Sequence, residues 1–365
     1  MKRTSRHGDG ATHLRPPVLT SFSAQGTGMT LRVGPAGRME AALAEKRDRV
    51  LMAVRYGGSA PGLRDADHPF IDIPNPVLCG VPRIEIWGTP ERAARFRRDD
   101  LAWAEDGRAL LGCRCRRVGE NMEEDALETY RALLALLDER GYPCLQRVWN
   151  YVPRINEDQR GVERYKRFNV GRARGFEERF GEAAERHFSA ASAVGTMGDS
   201  LIVCFAAGRE PGTHLENPRQ ISAPRYPADY GAKSPSFARG TFAPAGWGQA
   251  FFLSGTASVV GHATTHHGDP LGQLEEAVTN IEVLLGRAAA RNGRWRPDVA
   301  RFDLLKIYVR HWEHFAAIRE ALARRLDPST PSIYLKADLC RTDLLVEIEG
   351  VSLSNRPPTE SRTAP

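Results

Sequence analysis

No run of eighteen or more apolar residues occurs in the 365-residue chain, so the sequence contains no candidate membrane-spanning helix. The opening stretch, "MKRTSRHGDGATHLRPP", is basic and polar and lacks the apolar core of a secretory leader. Cysteine is scarce at six residues and no C-x-x-C pair is present. That leaves zinc ribbons, thioredoxin-like motifs and a disulfide scaffold without support. Cys113 and Cys115 fall on one face of a strand, but no second ligand pair follows them. The thiols read as reduced and mostly buried, in a cytoplasmic protein. A basic stripe with interleaved aromatics is also missing, because arginines alternate with acids, as in "EERFGEAAERHF". No nucleic-acid partner is expected. In "GHATTHHGD", His262 and His266 are spaced i, i+4, but glycines flank the stretch and no Cys or Asp pattern completes a metal site.

What is there suits a packed protein of two domains or one large one, with 41% apolar residues and a net charge of +6. Arginine heavily outnumbers lysine, which suits a small carboxylate or phosphate ligand. The C-terminal third parses into strands at 246–261, a helix at 269–293, a strand at 301–311, a helix at 312–326, and two strands around an Arg-Thr-Asp turn. The helix at 269–293 opens on Asp269 and Pro270 and carries an apolar stripe of Leu271, Leu274, Val278, Ile281 and Leu285. The same order recurs upstream, with strands at 83–88 and 109–119, a helix at 123–142, a strand at 144–156, a helix at 161–180, and two strands within 189–208. The expected fold class is α/β (α+β), built as tandem duplicated units, each a mixed β-sheet packed by two helices.

The expected organisation is a loose extension over 1–29 with Met29 as a second candidate start, a degenerate unit over 30–208, a connection over 209–244, a second unit over 245–353, and a tail over 354–365. The connection carries Tyr226, Tyr230, Phe237, Arg219, Arg225 and Arg239. A disordered linker rarely holds so many aromatics and arginines, so this one reads as an ordered loop over a site.

The stretches "FFLSGTASVVG", "QLEEAVTNIEVLL" and "LLVEIEG" resemble the RidA (YjgF) superfamily, with Gln273, Asn280, Phe315 and Glu347 at matching places. With "WNYVPRIN", "YKRFNVGRARGF", "YGAKSPSFARG" and "CRTDLLVEIEG", the chain resembles the chorismatases, of the 3-hydroxybenzoate synthase type. The resemblance implies release of pyruvate from chorismate by a cofactor-independent enzyme, with no metal, pterin or flavin. The implied products are 3-hydroxybenzoate alone or with 4-hydroxybenzoate. The alternatives are hydrolysis to a dihydroxycyclohexadiene carboxylate, or a RidA-like binding or imine-deaminating protein.

Cleaving the enol ether toward pyruvate needs a proton delivered to the side-chain methylene carbon. Glu347 lies among Leu344, Leu345, Val346 and Ile348, surroundings that raise a carboxyl pKa. The resemblance places the acid at Glu347 rather than Glu349, which shares its strand face. It also places Cys340 and Gly255 where the 3-hydroxybenzoate branch has them and the hydrolytic branch has a small apolar residue and alanine. For the substrate carboxylates, the expected groups are Arg341 first, then Arg239 and Arg167 or Arg172, with Tyr151 and Tyr230 as hydrogen-bond donors. Each has a plainer reading as a surface arginine or half-buried tyrosine. In the first repeat Cys204 is expected at the place of Glu347, leaving one active site per chain. The expected partner is chorismate, with no membrane, in a monomer or weak homo-oligomer.

Overall fold

The computed structural model describes residues 20–22, 28–64, 69–244, 250–291, 298, 299 and 302–353. The expectations for the tail and for most of the N-terminal extension lie outside the described residues. The first sheet contains β1 (Thr20–Phe22), β2 (Thr30–Pro35), β3 (Val50–Tyr56), β4 (Gly62–Leu63), β5 (Phe70–Ile73) and β6 (Arg83–Gly88), with α1 (Ala36–Glu45) against it. The second contains β7 (Ala94–Arg98), β8 (Leu101–Glu105), β9 (Ala109–Arg117), β10 (Cys144–Pro153), β13 (Ala190–Thr196) and β14 (Ser200–Gly208). Helices α2 (Met122–Arg140) and α3 (Arg164–Phe180) belong to it, and β11 (Asp158–Gln159) and β12 (Val162–Glu163) form a small hairpin before α3. The third contains β15 (Thr213–Leu215), β16 (Gly240–Phe242), β17 (Ala250–Ala257), β20 (Leu304–Val309), β21 (Ser332–Lys336) and β22 (Val346–Leu353). It carries the hairpin β18 (Val259–Val260) and β19 (Ala263–Thr264) and the helices α4 (Pro270–Arg291) and α5 (Phe315–Ala323). Among the described residues no helix is long and apolar enough to cross a membrane.

The three sheets share one pairing pattern. In the second, β9 pairs antiparallel with β14, β14 antiparallel with β10, and β10 parallel with β13. In the third, β17, β22, β20 and β21 repeat those pairings in that order. In the first, β2, β6, β3 and β5 do the same. The stretch expected as one unit over 30–208 therefore divides between two sheets, and "RIEIWG" (83–88) closes the first sheet rather than opening the second. The first sheet escapes sequence comparison because the connection from β3 to β5 is too short to hold a counterpart of α3 or α5. The connection over 209–244 also differs from expectation, since β15 and β16 make it the edge of the third sheet. The strands around the Arg-Thr-Asp turn are not a hairpin, because β20 lies between β21 and β22.

Each sheet alternates its side chains between two faces. One face of each packs on its own helices, giving three peripheral cores. The other faces meet in a central core, where Trp87, Trp149 and Phe252, one from each sheet, lie within 5.8–6.3 Å of one another. Three tyrosines, Tyr56, Tyr151 and Tyr308, come from matching strands and are all fully buried there. A central core made of three strand faces explains why near-continuous apolar runs such as "LIVCFAA" occur in a mixed sheet.

Helix α2 starts at Asn121, whose side chain accepts from Glu123 N, and ends at Gly141 with φ 73°. Helix α3 packs on it through glycine: a Cβ at Gly171 would overlap Glu123 O and lie 2.8 Å from Ala126 Cβ. A Cβ at Gly175 would lie 2.8 Å from Tyr130 Cβ. Gly171→Ala should therefore cost about 1–3 kcal/mol in urea unfolding, through overpacking. Gly286→Ala, in α4 with nothing within 4 Å of its Cβ position, should leave stability unchanged or raise it by up to about 1 kcal/mol.

Candidate active site

A cleft with about 940 Å³ of empty space, open mouth included, lies where the second and third sheets meet. The edge strand β13 is tied to the third sheet there: Ala191 N donates to Ser254 Oγ at 3.0 Å, and Ala190 N donates to Thr241 Oγ1 at 2.8 Å. From the second sheet and its helix come Ser192, Tyr165 and Arg172, and from the third come Gly255, Cys340, Arg341 and Glu347. The 216–239 segment closes one side with Tyr226, Tyr230, Phe237 and Arg239.

The segment before β22 is held by two residues that do not face the cleft. Arg310, at the end of β20, donates to the carbonyls of Arg341 and Leu344, each at 2.7 Å. Gln273 donates to Asp343 O at 2.9 Å and accepts from Leu345 N at 2.7 Å. Asn280 secures the neighbouring hairpin, donating to Val259 O at 3.0 Å. Gln273 and Asn280 are thus props for the site rather than members of it.

Glu347 and Glu349 share the inner face of β22, yet their surroundings differ. Glu349 is fully buried and satisfied: Lys306 Nζ lies 2.8 Å away, an Arg147 NH2 group 2.6 Å away, and Tyr308 OH donates to it at 3.1 Å. Burial alone would raise Glu349, but Lys306 and Arg147 outweigh it and hold the carboxyl below its ordinary value. Glu347 is 4% exposed, and among the described residues no cation lies within ion-pair distance of it. Burial, then the charge of Glu349, pushes it up to about 8, against weaker opposing pulls from Arg147 and Arg239. Glu347 is therefore a neutral carboxylic acid near pH 7, facing a cleft.

Gly255 makes room for that acid. A Cβ there would overlap Glu347 Oε1 and lie 2.7 Å from its Cδ. Gly255 N donates to Ser192 Oγ at 2.8 Å, and Arg147 donates to the same oxygen at 2.6 Å. Cys340 is half-buried, and burial followed by the nearby Glu347 pushes its thiol up to about 12. It is a neutral thiol, able to pass on a proton but not a thiolate nucleophile.

Two arginines of the cationic wall, Arg172 and Arg239, are buried and under-satisfied. Arg239 donates to Tyr226 OH at 2.7 Å and to Ile221 O at 3.1 Å, but its Nε has no partner. Arg172 donates to Asn169 Oδ1 at 2.9 Å, and its Nε is also unpartnered. Arg341 lies over the Tyr230 ring at 4.3 Å and donates to His262 O at 2.8 Å. Tyr230 OH donates to His262 O at 2.7 Å, which places the "GHATTHHGD" loop at the rim of the cleft. Among the described residues no cluster of His, Cys, Asp or Glu could hold a metal ion.

The cleft gathers seven of the nine residues expected from the sequence: Glu347, Cys340, Arg341, Arg239, Tyr230, Arg172 and Gly255. Tyr151 is instead fully buried in the central core, 3.4 Å from Tyr56 OH, because its strand position faces the other two sheets. Arg167 lies one helix face away from Arg172 and donates to Gln159 O at 2.8 Å. Cys204 is not the counterpart of Glu347. Tyr308 pairs with Glu347 and Lys306 with Glu349, while Tyr151 pairs with Ile202 and Trp149 with Cys204. Ile202 therefore holds the Glu347 place and Cys204 that of Glu349. Sequence reading named Tyr226 and Phe237 only as aromatics of the covering loop and missed Tyr165 and Ser192, which sit among ordinary helix and strand residues with no visible signal.

Residues 85–207 match the family described as "Chorismatase FkbO/Hyg5-like, N-terminal". A 3-hydroxybenzoate synthase of Streptomyces hygroscopicus is 36% identical over 79% of this chain and 86% of its own length. A chorismatase of Streptomyces rapamycinicus is 38% identical over 69% of this chain and 77% of its own. The crystal structure of a chorismatase superposes with a TM-score of 0.82 at 31% identity, covering 91% of this chain and all of that one.

A raised carboxyl has a thermodynamic signature. Between its ordinary value of 4.5 and about 8, folded Glu347 keeps a proton that the unfolded chain has released. Stability from this group is full below that window and is lost as pH rises through it. Glu347→Gln cannot ionise, so its melting temperature should gain on the parent's as pH is raised from about 5 to about 8. A gap that stays constant with pH would show that Glu347 is not held neutral.

Proposed function

The chain belongs to the chorismatase family, and we propose that it cleaves chorismate to pyruvate and 3-hydroxybenzoate, with Glu347 as the general acid. The observation that carries this reading is a buried carboxyl with no ion-pair partner among the described residues, lining a cleft whose walls hold two buried arginines with unpartnered N–H groups. Chorismate is a dianion with an enolpyruvyl ether, so it requires both features. Unpaired buried donors are rare because each costs about 1–3 kcal/mol. A carboxylate ligand would satisfy them in the planar geometry that guanidinium favours.

In the proposed reaction Arg239, Arg172 and Arg341 hold the two substrate carboxylates, with Tyr230 and Tyr226 shaping the same wall. Glu347 delivers its proton to the methylene carbon. The ether C–O bond at ring C3 breaks and pyruvate leaves, while the ring C4 hydroxyl closes onto C3. The hydroxyl proton released on that closure restores Glu347, and the arene-oxide-like ring then opens by breaking the C4–O bond, its C3 hydrogen leaving as a proton while the oxygen takes one up to give the phenol. The two products together contain all the atoms of chorismate, so no water is consumed. The neutral thiol of Cys340 is suited to assist the proton movement of ring opening. Gly255 keeps Glu347 in place, since any side chain there displaces the carboxyl.

Incubation with chorismate followed by chromatography should yield pyruvate and 3-hydroxybenzoate in equal amounts. Accompanying 4-hydroxybenzoate would extend the product range, and no turnover would sink the reading. Glu347→Gln should lower kcat for pyruvate release by about 100-fold or more. Cys340→Ala should shift product toward the dihydroxycyclohexadiene carboxylate, and Gly255→Ala, by displacing Glu347, should lower kcat for pyruvate release. An unchanged hydroxybenzoate yield in the first, or an unchanged kcat in the second, would reduce the corresponding residue to packing.

A further inference from the structure

Behind the cleft lies a cluster of buried charges that the proposed reaction does not touch. Lys306, on β20, is 2% exposed and contacts all three sheets. Its Nζ lies 2.8 Å from Glu349 on β22 and 3.3 Å from Glu85 on β6. It donates to Tyr56 OH on β3 at 3.1 Å and sits 5.1 Å from the centre of the Trp149 ring on β10. Glu85 is satisfied in turn by Tyr56 OH and Trp87 Nε1, each donating at 2.7 Å. Arg147, from β10, reaches the far oxygen of Glu349 at 2.6 Å.

The cluster thus holds two acids, Glu85 and Glu349, and two bases, Lys306 and Arg147. An ionised Glu347 would add a third negative charge with no cation to match it. A buried charge without a partner is strongly disfavoured, so the proton stays on Glu347 as long as Glu349 remains ionised. We propose that Lys306, though it does not line the cleft, is a positioning residue for the reaction: by pairing with Glu349 it keeps a negative charge beside Glu347 and so keeps the Glu347 proton available for transfer. The first sheet takes part through Glu85 and Tyr56, which fix the ammonium group. This assignment rests on Glu347 being the acid.

Among the described residues, several charged and titratable groups act on Glu347. They are Glu349 on its own strand, Arg147 on β10, Arg239 from the covering loop, Cys340 before β22, and Tyr165 on α3. Burial alone would lower Lys306, but Glu349 and Glu85 outweigh it and hold it above its ordinary value, so it stays charged across the working range. Without the ammonium, Glu349 takes up a proton more readily and Glu347 loses its like-charged neighbour. Its proton is then released at lower pH.

The test is the basic limb of the kcat/KM profile for pyruvate release from chorismate. In Lys306→Met that limb should move down by about one pH unit or more, a tenfold change in the protonated fraction at a fixed alkaline pH. Glu349→Gln removes the same negative charge from the other side and should move the limb in the same direction. The double variant should lie where Glu349→Gln lies. A Lys306→Met protein with the parent's circular dichroism and an unmoved limb overturns the proposal. Should Lys306→Met not fold, Glu349→Gln decides alone, and an unmoved limb there overturns it equally. The functional reading fails separately: Glu347→Gln retaining near-full pyruvate release would remove the acid itself, whatever the limbs do.

Discussion

Two carboxyl groups two residues apart on one buried strand face cannot both ionise when the cations at hand match only one of them. In this fold Lys306 and Arg147 are committed to Glu349 and Glu85, so Glu347 remains neutral. Buried ion pairs of this kind add little net stability, because desolvation offsets much of the attraction. Their value here is electrostatic asymmetry: one glutamate is held as an anion and its neighbour as an acid. The pattern is that of paired carboxylates whose environments push their pKa values apart.

That asymmetry depends on three sheets converging. Lys306 comes from the third, Arg147 from the second and Glu85 from the first, and no two sheets supply the whole set. The cleft, by contrast, is built by the second and third sheets alone. The first sheet, reduced to one helix, supplies no described wall of the cleft but contributes to the centre on which the acid depends. Three matching tyrosines and an aromatic trio mark the same centre, where each sheet presents equivalent positions to the other two.

Much of this was legible in the chain. Helices α2, α3 and α4 follow from apolar periodicity, while the caps of α2 at Asn121 and Gly141 came from the structure. The order strand, strand, helix, strand, helix, strand, strand was read twice, although its first upstream strand, 83–88, belongs to the first sheet. Glu347, Cys340 and Gly255 stood out through the family resemblance, and the aromatic loop through its composition. The third copy was hidden because it lacks a second helix, which removes the longest periodic signal. Tyr151 misled because a tyrosine on an inward strand face looks the same in sequence whether it meets a ligand or another sheet. Arg167 misled because it sits five residues from Arg172, a spacing that turns the two side chains to different sides of α3.

The sequence by itself determined the local elements, the alternation that sets Glu347 and Glu349 on one face, and the supply of arginine for an anionic ligand. Those follow from backbone periodicity and residue chemistry, which act over a few positions. Only the tertiary structure decided which glutamate keeps its proton, because the two cations concerned, Lys306 on β20 and Arg147 on β10, and the acid that also holds Lys306, Glu85 on β6, are brought together only by the register of three sheets. It also decided that Ile202, not Cys204, holds the acid's place in the second sheet, since strand register is a property of paired strands and not of one.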